Sequence, residues 1–299
     1  MYGIFTDVEP DDIIAIKVFS KFVKSNVKFF VGGRNNVIQA KRLQFYIKLF
    51  GIESREVYLG RSGGSRETGF KEDGFEIFNP DELASLKPVR TDKNYITEAL
   101  KCDIFIIIKA PHDLMAHFMS NKFAFADKIA YVYGSFNLRS LKASKDDIIA
   151  FLRSFKRCYL YESFFATGEN NTVNKNNFNF VKLEKQIIES IRLWDSHIAE
   201  ICKITIKTSS DTNAISRSKK CLESVLNGPQ FVNADVFLML SIFEKTTPWK
   251  KIKNIKYRDA YIVTETDDTV SISDGLHVIS PPDKSEYERK MLQSLNSLI

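Results

Sequence analysis

The chain of 299 residues is 44% hydrophobic and 27% charged with a formal net charge of +6, which is enough apolar content for one large α/β domain over residues 1–299. No apolar run approaches the ~20 residues of a membrane span, and the start, MYGIFTDVEPDD, carries acids where a signal or transit peptide needs a basic region. A cytoplasmic protein without a membrane segment is therefore expected. Lysines are dispersed rather than gathered in a stripe, which argues against nucleic acid as a partner, and four cysteines without a CxxC pair give no evidence of disulfides.

In chain order, a β-prone run at 2–6 ends in an acidic turn containing Pro10, and an apolar-periodic helix follows over 12–25. Further strands are predicted at 27–31, 55–59, 103–109 and 128–133, separated by helical patterns at 36–50, 96–101 and 112–120. IFIII and VKFFV are continuous apolar runs, as burial on both faces of a parallel sheet requires. The alternation predicts a doubly wound, mostly parallel sheet flanked by helices. Residues 60–69 and 168–179 read as loops, 182–202 as a core-facing helix, and Asp235 opens another helix after Asn233 and Ala234.

The stretch GIFTDVEPDDIIAI places Asp7, Asp11 and Asp12 where the first strand runs into the first helix. That is the carboxyl edge of the sheet, where open α/β folds bind ligands. Carboxylates so close repel one another unless protons or a cation neutralise them, and a hard divalent ion such as Ca²⁺ takes six to eight oxygens. The alternative is that the three acids merely cap the helix. Asp235 carries the same pair of readings, N-cap or ligand.

TDxxxDDxxAI resembles the N-terminal signature of the nucleoside hydrolases, DTDPGxDDxxAI. On that resemblance Asp7 and Asp12 bind Ca²⁺ and Asp11 takes the proton of the attacking water. Phe5 stands in place of the leading Asp, and Glu9 in place of the glycine. Further segments resemble family landmarks in the same order: 31–51, 57–64, 103–116 ("TGPLTNLA"), 128–135 ("MGG"), 232–240 ("HDxxA", supplying Asp235 as the last ligand) and a closing hairpin at 256–275. Asn35 or Asn36 is either an ordinary turn residue or, on the resemblance, the ribose contact, with Asn36 favoured, and Glu162 falls where an "EFN" clamp binds sugar hydroxyls, with Phe164 replacing its Asn. Ala234 occupies the position of a histidine that acts as leaving-group acid, so Asn233, His112, Tyr133 or aromatic stacking by Phe164, Phe165 or Trp249 would have to substitute.

Lys109 aligns with a threonine whose backbone carbonyl ligates the ion. Either its side chain points away and the carbonyl remains a ligand, or its ammonium enters the acidic cluster and replaces the metal. Both together cost several kcal/mol in cation–cation repulsion at ~4 Å, even at an effective dielectric near 20. Two functions follow. One is Ca²⁺-dependent hydrolysis of the N-glycosidic bond of a nucleoside or other ribosyl small molecule. The other is the same fold kept without turnover as a binding or structural subunit, with a homo-oligomer or protein partner.

Overall fold

A computed structural model describes residues 1–32, 36–53, 56–60, 95–109, 112–134, 143–161, 172–174, 178–228, 230–232, 234–245, 247–258, 261–266, 275–279 and 283–299. Strands β1 (Tyr2–Thr6), β2 (Val27–Val31), β3 (Val57–Leu59), β4 (Ile104–Ile107), β5 (Ile129–Tyr133) and β6 (Arg157–Tyr161) run parallel in one sheet. β7 (Thr172–Asn174) and β8 (Gln230–Val232) pair separately. β9 (Trp249–Arg258), β10 (Tyr261–Thr266) and β11 (Gly275–Ile279) complete the large sheet in the order β10-β9-β11-β6-β5-β4-β1-β2-β3. β11 lies parallel to β6, while β9 runs antiparallel to both β11 and β10. The fold is thus the doubly wound, mostly parallel sheet that the alternation of elements predicts.

Helices cover both faces. Those described are α1 (Pro10–Ser20), α2 (Asn36–Leu49), α3 (Tyr95–Leu100), α4 (His112–Ser120), α5 (Lys145–Arg153), α6 (Lys185–Thr208), α7 (Thr212–Leu226), α8 (Ala234–Phe243) and α9 (Lys284–Leu298). One core lies between the sheet and α1, α2, α6, α8 and α9 and contains Ile4, Phe19, Phe29, Tyr46, Ile191, Phe237 and Leu295. The opposite core is an aromatic layer against α3, α4 and α5, built on Phe5, Phe30, Tyr58, Phe105, Phe118 and Phe151. Adjacent residues of one strand point to opposite faces, which is why Ile4 and Phe5 serve different cores. Phe5 is 1% exposed and stacks on Phe30 at 4.8 Å, so the aromatic at this position packs the core.

Several boundaries differ from the sequence expectation. The first helix starts at Pro10 and stops at Ser20 instead of running from 12 to 25, because proline is favoured at the first helical position and the chain turns at Lys21–Phe22 toward Asn26, which adopts φ +57°. The fourth strand is shorter than 103–109, since Ile108 and Lys109 both direct their amides at the Phe5 carbonyl. The long helix runs from Lys185 to Thr208, past the expected end at 202. α5, β6 and α9 carry no strong signal in the sequence reading. Residues 61–69 of the predicted 60–69 loop lie outside the described residues, as do most of the 168–179 loop and most of the second half of the 256–275 hairpin.

Candidate functional site

β1 delivers its last residue, Thr6, to the carboxyl edge, and the turn to α1 is knitted by one carboxylate. Asp12 Oδ2 accepts from the Thr6 hydroxyl at 2.6 Å and from the Asp7 and Glu9 amides at 3.2 Å each. The Thr6 hydroxyl oxygen accepts in turn from the Val8 amide at 2.9 Å. Glu9 occupies the N-cap position and Asp12 the third helical position, so the Asp12–Glu9 bond is one half of a capping box. The turn holds Val8 at φ +63°, a left-handed conformation that is costly for a β-branched residue and that clusters at functional sites.

Two other elements converge on this turn. Lys109, two residues beyond β4, places its ammonium 2.8 Å from Asp7 Oδ2 and 3.9 Å from Glu9 Oε1. α8 packs on α1 and brings Asp235 in its first turn. Carboxylate oxygens of Asp11, Asp12 and Asp235 lie within 4.8 Å of one another. Asp12 is 1% and Asp235 5% exposed, and Asp235 Oδ1 is buried without a hydrogen-bond partner.

The electrostatics follow from this crowding. Burial, with repulsion from Asp7, pushes Asp11 up to about 6. Burial raises Asp12 well above the usual carboxylate range, with Asp7 and Asp11 adding to the effect. Asp235 is raised by burial and then by Asp11 and Asp12, and Glu9 by burial and then by Asp7. Lys109 is raised as well, since Asp7 above all holds the proton on its ammonium. The side chains are those of a region with too much negative charge and one internal cation.

The geometry divides the expected site residues. Asp11, Asp12 and Asp235 come together, while Asp7 joins Lys109 in an ion pair flanked by Glu9. The ligand set implied by the resemblance was Asp7, Asp12, Asp235 and the Lys109 carbonyl; the described carboxylates that converge instead include Asp11, and the Lys109 side chain points inward. Asn36 opens α2, with its side chain outside the described set, and Glu162 and Phe164 lie outside the described residues just beyond β6. His112 opens α4, and burial pushes it below the usual histidine value. Trp249 packs on Tyr159 and Tyr131 at 5.1 and 6.3 Å between ring centroids. Sequence reading assigned no part to Thr6 and treated Glu9 as a departure. The three-residue spacing of Glu9 and Asp12 was the available signal for the capping bond.

A divalent cation fits the triad. Oxygens bound at about 2.3–2.6 Å to one ion lie at most about 4.6–5.2 Å apart, a limit that the 4.8 Å convergence meets. All donors are hard oxygens, and the orphaned Asp235 Oδ1 has an acceptor's lone pairs with nothing to receive. Other groups of three or more metal-ligating side chains are not found among the described residues.

No family model and no curated protein matches the chain. Solved structures do. An inosine-guanosine nucleoside hydrolase aligns over 100% of this chain and 99% of its own with a TM-score of 0.57 at 14% identity. A plant nucleoside hydrolase, PpNRh1, aligns over 99% and 98% with a TM-score of 0.56 at 10% identity. The inosine-uridine preferring nucleoside hydrolase of Bacillus anthracis aligns over 100% and 99% with a TM-score of 0.52 at 12% identity. At such low identity the likeness concerns backbone architecture, and it establishes that this chain has the nucleoside-hydrolase fold.

Proposed function

We propose that this protein hydrolyses the N-glycosidic bond of a nucleoside or other ribosyl small molecule at the carboxyl edge of its sheet, with a divalent cation such as Ca²⁺ held by Asp12, Asp235 and Asp11. The observation that carries the reading is the convergence of those three carboxylates around the unpartnered Asp235 Oδ1, on this fold. When bound, the ion would polarise a water and hold sugar hydroxyls. Asp12 is aimed in advance by Thr6 and two amides, so its carboxylate is held in place before an ion arrives. Asp11, raised to about 6 in the ion-free chain by burial and Asp7, would be held ionised beside a bound cation and would take the proton of the water attacking C1′ as the bond to the base breaks. Among the described residues no helix is long and apolar enough to cross a membrane.

Lys109 supports a second reading. Its ammonium on Asp7 takes the inward orientation that, of the two alternatives in the sequence, replaces the ion, as in a nucleoside-binding or structural subunit that has no turnover; hydrolysis with a seated cation requires that side chain to swing away. The two readings separate in a Ca²⁺ titration by calorimetry together with ribose release from inosine and uridine. Hydrolysis predicts saturable binding to the wild type and metal-dependent ribose release. Binding only by the Lys109→Thr variant, with no ribose released by the wild type, would establish the second reading instead.

A further inference from the structure

Resting on the hydrolase reading, we infer that the preferred substrates are cationic N-ribosides, whose base already carries a positive charge on its ring before the bond breaks. Two observations lead there. The first is charge: Asp7, Glu9, Asp11, Asp12 and Asp235 gather at one strand edge with Lys109 as the cation paired among them. Ionised, they sum to minus four, and a seated divalent ion still leaves minus two. A partly enclosed site of one sign concentrates ligands of the other, so it attracts a cationic riboside and repels a 5′-phosphate.

The second observation is the state of the donors. A neutral nucleoside leaves a base that must gain a proton as the bond breaks, and a positioned acid is typically worth 10²- to 10⁴-fold. Among the described side chains bonded into this cluster, the donors are Lys109, engaged by Asp7 and Glu9, and the Thr6 hydroxyl, given to Asp12; His112, at the start of α4, is the nearby candidate acid, and burial and Lys109 both disfavour its protonated form. The residue ahead of Asp235 is alanine. A cationic riboside needs no such donor. Its C1′–N bond breaks with the electron pair passing to the ring nitrogen, which cancels the charge of the base. The water oxygen bonds to C1′ and its proton passes to Asp11 and then to solvent, giving ribose and a neutral base.

Inosine and 7-methylinosine, assayed in mildly acidic buffer where N1 of the latter keeps its proton, differ by one methyl group and one positive charge, and they test this directly. With the Ca²⁺-loaded wild type, kcat/KM for 7-methylinosine should exceed that for inosine by more than ~100-fold, the lower bound of what an acid supplies. The KM of the cation alone should rise several-fold between low salt and ~0.3 M, where charges separated by more than several ångströms are screened. A ratio within about tenfold, or a salt-independent KM, overturns the inference and leaves hydrolysis standing. Release of ribose from neither compound overturns the hydrolase reading itself.

Discussion

The two edges of the parallel sheet treat charge in opposite ways. At the amino edge, the α-amino group of Met1 lies 2.6 Å from Asp103, Lys28 pairs with Glu98 and stands 3.4 Å from Glu56, and Lys101 adds a 2.5 Å contact to Glu98. Three cations meet three acids there. Hydrogen bonds from Lys101 and Lys28 hold Glu98 down to about 2, and the amino terminus lowers Asp103. In the described cluster at the carboxyl edge one ammonium serves five carboxylates, and every resolved carboxyl shift there is upward. The backbone is the same parallel ladder at both ends, so the contrast comes from side chains. Charges matched in place stabilise the fold, whereas an uncompensated cluster costs stability and is expected where a ligand or a reaction uses it.

Exchanging one carboxylate for its amide at each edge should dissociate activity from stability. Asp11→Asn should lower ribose release by 10²- to 10⁴-fold while leaving the melting temperature of the ion-free protein unchanged or higher, since the change removes repulsion. Unchanged ribose release would refute its role as base.

Lys109→Thr tests the internal cation. Removing the ammonium frees Asp7 and raises the net negative charge, so Ca²⁺ affinity measured by calorimetry should rise at least tenfold, about 1.4 kcal/mol. Equal affinities would mean that Lys109 and the ion do not compete.

At the amino edge the expected effect is on stability alone. Glu98→Gln leaves Lys28, 12% exposed, without its strongest partner and should cost about 1–2 kcal/mol in urea melts, with kcat/KM unaltered. A fall in turnover would show that the two edges are coupled.

The smallest expected effect, a few degrees in melting temperature, is in the pH profile. Asp11 is raised from 3.8 to about 6, so between those values the folded chain binds a proton more tightly than the unfolded chain does. Stability of the chelator-treated protein should therefore rise as pH falls from about 7 to 5. Glu98 is lowered from 4.5 to about 2; its contribution is present above the unfolded value and is lost as pH falls through about 2. Melts in chelator should peak between about pH 4 and 5, and added Ca²⁺ should move the optimum upward. A steady decline from pH 7 to 5 without metal would mean that the acidic cluster is already neutralised.

What could be read from sequence was what is local. The strand–turn–helix from Tyr2 to Ser20 puts Asp7, Asp11 and Asp12 at a strand end because side-chain direction follows backbone period over a few residues. The β/α alternation, with continuous apolar strands such as VKFFV, determines a parallel sheet covered on both faces. α5 and β6 escaped notice because short apolar runs do not distinguish helix from strand by period alone. The division of labour among the carboxylates belongs to the tertiary structure. Lys109 meets Asp7 only because β4 lies beside β1 in the sheet, and Asp235 completes the triad only because α8 packs on α1. Resemblance could nominate Asp7 and Asp12 for an ion and Asp11 for the base, but which carboxylate an ammonium engages depends on a contact between residues about a hundred positions apart, set by strand order and helix packing.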